Sequence, residues 1–321
     1  MLLRGADFVF VLRPLIMIPA WSFYALGVHL APGPARVELF SVVVQPGFWC
    51  LTALLASAYV VNQIFDQASD RLNGKGLFMT HGVFRTHTMI AIALVCFLGA
   101  SWLFRRVDAA QQIPLIGAMV LAFMYSLPPL RLCSRPWLDL IANAIGYGGL
   151  AYAAGAGGVS GYALQAFLDA YPWMLLVGAT FLHTAILDVD GDAAAGKRTT
   201  TVAIGIVPSA HLAAALALVA LSAVLWRFFK HDGSFWSVLV AAISFVACVV
   251  ACFALRRAEK QDASLTTATR ARASSRTVLA ITTVVALWAC MRDPVLLALF
   301  VPLALAARFY YRARFYLRYP F

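Results

Sequence analysis

Charge is what this chain has least of. Only 12% of its 321 residues are Asp, Glu, Lys or Arg, and just 14 are acidic; soluble domains carry about 25% charged residues. With 62% hydrophobic residues and a mean hydropathy of +0.82, the composition excludes an ordinary soluble domain and implies an integral membrane protein. Linkers, charge blocks and low-complexity tracts are also missing, so residues 1–321 read as one membrane-embedded domain. The six cysteines, Cys50, Cys96, Cys133, Cys248, Cys252 and Cys290, form no CxxC pair, which argues against a disulfide framework or a zinc site. The glycine-rich GAGGVSG at 155–161 lacks the Lys-Ser/Thr of a phosphate-cradling loop and is expected to be a loop on the far side of the membrane.

What is present is a succession of apolar windows. A helix crosses ~30 Å of hydrocarbon in roughly 17 to 25 residues, and helices are the expected element because the bilayer offers backbone groups no other partners. Spans are predicted at 8–30, 46–66, 87–105, 111–127, 138–157, 172–188, 208–226, 236–255, 277–291 and 295–310. Only MRDP separates the last two, which could be halves of one broken segment, so the expected fold is all-α and polytopic with nine or ten transmembrane helices. Asp7 and Arg13 interrupt the first run, which is therefore expected to be a retained span rather than a secretory signal. The polar stretch 256–276 is expected to be a surface loop or short amphipathic helix.

With ten spans, 19 of the 25 Lys and Arg residues fall on the side of the N-terminus and 6 on the other. The positive-inside rule makes the first side cytoplasmic, as in a bacterial inner membrane. The net charge of +11 is then a topology signal, and nucleic-acid binding is not implied.

Five of the scarce acidic residues crowd into two clusters: Asp66 and Asp70, then Asp188, Asp190 and Asp192. Both clusters end even-numbered spans and so share one membrane side. Positions four apart lie on one helix face, which aligns Asn62, Asp66 and Asp70 in one row and Asp188 with Asp192 in another. Asp190 should point elsewhere unless the helix has ended by Gly191. Facing carboxylates repel by ~4 kcal/mol at 4 Å and an effective dielectric near 20, so a cation must sit between the rows. Oxygen donors without His or Cys favour a hard ion such as Mg²⁺, which joins carboxylates to substrate phosphates.

Basic residues follow each cluster. Arg71, Lys75 and Arg85 come after the first, Lys197 and Arg198 after the second, and the YSLPPLRLCSRP connection adds Tyr125, Ser126, Arg131 and Arg135. The histidines beside the motifs, His81 and His183, read as helix-end or supporting residues.

Taken together, NxxxDxxxD at 62–70, YSLPPLRL at 125–132 and DVDGDAAAGKRTTTVAIG at 188–205, with LRP early in the first span, resemble the signatures of the UbiA-type intramembrane prenyltransferase superfamily over residues 13–205. The resemblance implies nine helices in a ring around a central cavity, a tenth being an addition. It implies Mg²⁺ on Asp66, Asp70, Asp188 and Asp192, and a prenyl diphosphate bound also by Asn62, Lys75, Tyr125, Ser126, Arg131, Lys197 and Arg198. The chain departs from the family in having Gln63 where many members have Asp, and GKGLFMTHG where Arg-Pro-x-Pro-Ser-Gly is common near the acceptor; Lys75 stands in for the missing cation there. The expected activity is prenyl transfer from a polyprenyl diphosphate to an aromatic or quinone-precursor acceptor. The alternatives are terpene cyclisation, transfer to a non-aromatic lipid or sugar phosphate, and, from another class, an ion-coupled transporter.

Overall fold

A computed structural model describes residues 2–30, 41–161, 163–230, 233–259 and 263–316. Sixteen α-helices run in order among these residues: α1 (Leu2–Phe10), α2 (Ile18–Leu30), α3 (Pro46–Phe65), α4 (Gln67–Leu72), α5 (Leu77–Thr80), α6 (Thr86–Phe104), α7 (Ala109–Ser126), α8 (Leu138–Asn143), α9 (Ala151–Ser160), α10 (Ala163–Asp169), α11 (Tyr171–Ala194), α12 (Thr200–Ile204), α13 (Ile206–Phe229), α14 (Phe235–Ala258), α15 (Ala263–Arg292) and α16 (Val295–Phe315). No strand occurs among the described residues. Among the described residues, nine stretches are long and apolar enough to cross a membrane: Arg4–Leu30, which includes a turn at Pro14–Met17, then α3, α6, α7, α11, α13, α14, Thr267–Arg292 and α16. The fold is all-α and polytopic.

A further crossing is hidden by its own irregularity. Residues 138–160 form α8, a π-helical turn at Ala144–Leu150, and α9 in direct succession. The polar ends of α3 and α11 touch through Lys197 and Asp66, so those ends share one face of the molecule. Three traverses must then separate α3 from α11, and α6 and α7 supply two of them. The interrupted 138–160 segment is the third. It also lies where the sequence predicts the fifth span, which makes ten crossings among the described residues.

Successive crossings pack side by side, α3 on α6, α11 on α13, α13 on α14 and α14 on α15, and the circuit closes where α15 meets α2. The α2–α9 contact is unusually close. A Cβ on Gly27 would come 2.0 Å from the Tyr152 carbonyl oxygen, and one on Gly155 would come 2.0 Å from that of Tyr24. Small residues let helix backbones meet where no hydrophobic drive distinguishes helix from lipid.

One sequence expectation is corrected here and another narrowed. The glycine-rich 155–161 stretch is not a loop: it is helical through Ser160, because its glycines serve packing, and only Gly161, at φ +69°, turns the chain. Of the two readings for 256–276, the loop is overturned and the helix holds in longer form: 256–258 end α14 and 263–276 begin α15, while 260–262 lie outside the described residues. The MRDP junction separates two distinct helices. Asp293 there accepts hydrogen bonds from the Ser41 hydroxyl at 2.8 Å and the Val42 amide at 2.7 Å, pinning the turn.

Candidate active site

The first acidic row is not one uninterrupted helix. α3 ends at Phe65, Asp66 adopts φ −99° and ψ 8°, and α4 starts at Gln67. The i to i+4 backbone bonds nonetheless continue through the joint, from Asp66 N to Asn62 O and from Asp70 N to Asp66 O, both 2.8 Å. Asn62, Asp66 and Asp70 therefore stay in register while the chain bends. Asn62 Nδ2 donates to Asp66 Oδ2 at 2.8 Å and to Ser126 Oγ at 3.4 Å, linking the first motif to the end of α7.

The second row stands on an unbroken helix, since α11 continues to Ala194. Asp190 consequently projects away from Asp188 and Asp192, and its exposed carboxylate pairs with Arg270 on α15. α4 lies directly against α11. Gly191 permits this: a Cβ there would stand 2.2 Å from Asn73 Oδ1.

Protein cations lie between the rows. Lys197 Nζ is 2.9 Å from Asp66 Oδ2 and 3.8 Å from Asp192 Oδ1, so one ammonium touches both motifs. Lys75 Nζ lies 2.6 Å from Asp188 Oδ1, an ion pair without an aligned hydrogen bond. Arg131 Nη2 reaches Asp66 Oδ1 at 3.3 Å. Arg131 is held at φ 39° just after the Pro128–Pro129 pair, which ends α7 because a residue preceding proline disfavours the α region.

Electrostatics follow from this crowding. Burial lifts the Asp70 carboxyl above its usual range, with the nearby Asp66 charge adding to the lift and Arg13, Lys197 and Lys75 opposing it. Burial works against a charged Lys197, but the Asp66 and Asp192 carboxylates outweigh it and raise the ammonium pKa. Lys197 stays a cation.

Of the remaining sequence candidates, Tyr125 accepts from Asn143 Nδ2 at 3.1 Å at the edge of the cluster. Arg198 is exposed and is not brought onto the carboxylates. His183 is buried against Ser274, and His81 packs near Phe315, both as supporting residues. Gln63, the departure from the family pattern, is turned out of the cluster and donates to Val11 O at 2.9 Å and Tyr59 O at 3.1 Å.

Two residues enter that were not among the expected site residues. Arg13 sits in the left-handed region between α1 and the following turn, with its charge felt at Asp70; a cation inside the first apolar run was the available signal. Asp139, fully buried at the start of α8, accepts the Thr200 amide at 2.7 Å and also the Thr200 hydroxyl. It anchors the loop that carries Lys197.

Among the described residues no three His, Cys, Asp or Glu side chains form a ready-made metal cage. The carboxylates come in pairs, with Asp70 Oδ2 buried and unpartnered and the Arg131 Nε donor equally unpartnered. Mg²⁺ is commonly held by one or two carboxylates plus substrate phosphates and waters. The set fits a hard ion that arrives with phosphate oxygens, and its spare Arg131 donor suits the phosphate.

The model of the UbiA prenyltransferase family matches residues 16–271. A lycopene elongase/hydratase of Halobacterium salinarum is 33% identical over 172 residues, covering 52% of this chain and 60% of that protein. Another, of Haloarcula japonica, is 30% identical over 177 residues, covering 54% and 55%. The matched part thus spans less than two thirds of either relative. A solved UbiA homolog from Archaeoglobus fulgidus, bound to DMAPP and Mg²⁺, shares the fold with a TM-score of 0.63 at 17% identity, over 87% of this chain and 99% of that one. The facing acidic rows, the helical circuit and the family match lead to one conclusion: this chain belongs to the UbiA prenyltransferase family.

Proposed function

We propose that the protein transfers a prenyl group from a prenyl diphosphate to an apolar acceptor within the membrane, with Mg²⁺ held by Asp66, Asp70, Asp188 and Asp192. The observation that carries this reading is the Lys197 ammonium in contact with both Asp66 and Asp192. Carboxylates and cations at one span-end cluster suit a diphosphate better than an ion pathway, which would need acids near midplane breaks. When bound, Mg²⁺ supplies charge neutralisation for the departing diphosphate.

The chain's own groups do the rest. Lys75, Lys197 and Arg131 receive phosphate oxygens, and their positive charge favours the state in which the allylic C–O bond opens and negative charge gathers on the leaving group. Asn62 and Ser126 orient Asp66 through their hydrogen bonds. Tyr125 and Arg198 are placed by the family resemblance alone and complete the proposed diphosphate contacts. The motif ends face the cytoplasm in this reading.

Two acceptor classes stand. An aromatic or quinone-precursor acceptor is the expectation from the family motifs. A non-aromatic polyene is favoured by the two lycopene elongase/hydratase relatives. It is favoured also by residues 77–79, which replace a charged family segment near the acceptor with Leu77 and the buried Phe78 and Met79.

The test is to incubate purified protein, Mg²⁺ and labelled dimethylallyl, geranyl or geranylgeranyl diphosphate with lycopene, with an aromatic acid, or with neither. Prenylated product supports the proposal and identifies the acceptor class. Product without acceptor would move the reading to cyclisation or hydrolysis. Ion flux in vesicles with no donor consumed would move it to transport.

A further inference from the structure

Helix α16 lies beyond the residues matched by the family model, and α1 lies before them. Buried charge joins the two. Asp7, 3% exposed, accepts from Arg314 Nε at 2.9 Å and Arg314 Nη2 at 3.1 Å, and from the Tyr310 hydroxyl. Phe10 stacks on Tyr310 with ring centroids 4.2 Å apart. A buried ionisable group is costly unless it is paired, and here the pairing ties the end of α16 to α1.

The face of α16 fixed in this way bears on residues 74–84. Tyr310 stacks on Phe78 with centroids 6.4 Å apart, and Phe315 meets Phe78 edge-on at 5.7 Å and His81 at 5.5 Å. Phe78 also stacks on Phe84. The segment between α4 and α6 contains only the single turn α5, so its conformation depends on what it packs against. At its start, Lys75 meets Asp188 across the two motifs.

We propose that α16 is a positioning element of the diphosphate site: Tyr310 and Phe315 seat Phe78, and the seated segment holds Lys75 where it meets Asp188 and the incoming diphosphate. The inference rests on the proposed role of Lys75 as a diphosphate cation. Tyr310 and Phe315 are positioning residues, and they act through Lys75 without touching substrate.

The test is a double-mutant cycle on the full chain in detergent, using wild type, Phe315→Leu, Lys75→Ala and the combination. Geranyl diphosphate binding in the presence of Mg²⁺ is measured by calorimetry, with KM and kcat alongside. Phe315→Leu is expected to raise Kd and KM roughly three- to tenfold, as loss of one partly exposed ionic contact would, with kcat changed less than about twofold. In the Lys75→Ala background the same substitution should add nothing. An unchanged Kd in Phe315→Leu, or equal losses in both backgrounds, overturns the inference. Where Phe315→Leu does not fold, Phe78→Leu, which removes the ring that Tyr310 and Phe315 seat, passes through the same cycle with the same criterion. Wild type that fails to bind geranyl diphosphate with Mg²⁺ would refute the site reading itself, whereas wild-type binding with an additive cycle would refute the positioning role alone.

Discussion

Lys75 and Asp188 meet at 2.6 Å although each belongs to a different motif, one between α4 and α5 and the other on α11. The contact clasps the two halves of the acidic cluster. Because Lys75 is about a third exposed, its removal should cost affinity more than structure. Lys75→Ala is expected to raise KM for the prenyl diphosphate roughly tenfold, the scale of one lost charge-assisted contact, with a smaller effect on kcat. Steady-state kinetics on the purified variant check it; a fall in kcat at unchanged KM would contradict the assignment.

The helical register of α11 separates three neighbouring aspartates. Asp192 shares Lys197 with Asp66, whereas Asp190 faces Arg270 and is largely exposed. Asp66→Asn and Asp192→Asn should each lower turnover by about a thousandfold or more while leaving the size-exclusion profile intact. Asp190→Asn should stay within about twofold of wild type, since an exposed pair contributes little. Comparable losses at all three positions would dissolve the distinction.

Chelation with EDTA should abolish donor consumption, and added Mg²⁺ should restore it. Lys197 offers a sharper measurement. In the absence of diphosphate its ammonium competes with Mg²⁺ for Asp66 and Asp192, so Lys197→Ala should lower thermal stability in EDTA and show a larger Mg²⁺-induced rise in Tm than wild type. Equal Mg²⁺ shifts in both proteins would argue against metal at these carboxylates.

The α2–α9 contact predicts a contrast between glycines. Gly27→Ala would drive a methyl into the Tyr152 carbonyl, an atom of the backbone that cannot swing aside, whereas a Cβ on Gly99 meets nothing within 4 Å. Gly27→Ala should destabilise by about 2 kcal/mol or more, and Gly99→Ala should be neutral or stabilising by up to ~1 kcal/mol. Thermal unfolding in detergent distinguishes them.

Arg314→Ala leaves the buried Asp7 carboxylate with the Tyr310 hydroxyl but no cation, and should destabilise by about 3 kcal/mol. Asp7→Asn combined with Arg314→Met, which removes both charges, should recover most of that loss. A double variant less stable than Arg314→Ala would show that the pair is not acting through buried charge.

The helices and the two acidic rows were legible in the sequence because both are local patterns: apolar windows of bilayer length, and aspartates four apart. What pairs with what was less so. That Lys197 rather than Arg198 turns inward depends on how the loop after α11 is tethered by Asp139 and Thr200, a contact between distant parts of the chain. Glycine misled at 155–161 because its usual turn meaning assumes solvent; between helices in lipid the same residue allows backbone approach. At the polar start of α15 the sequence left loop and short helix open, because a helix can run past the hydrocarbon and keep its backbone bonds while its side chains become polar. Arg13 was legible as part of the LRP signature but Asp7 and Arg314 only as charges, and the partners of all three needed the fold.

The π turn at Ala144–Leu150 carries one final implication. One surplus residue in a helix shifts the phase of everything beyond it by roughly 100°, and this shift lets Asp139 at one end face Thr200 while Gly155 at the other faces Tyr24. The count of residues between those two anchors therefore matters more than their identity. Trimming a single residue from the turn would straighten the helix and pull one anchor off its target, where many substitutions in the same stretch would leave both in place.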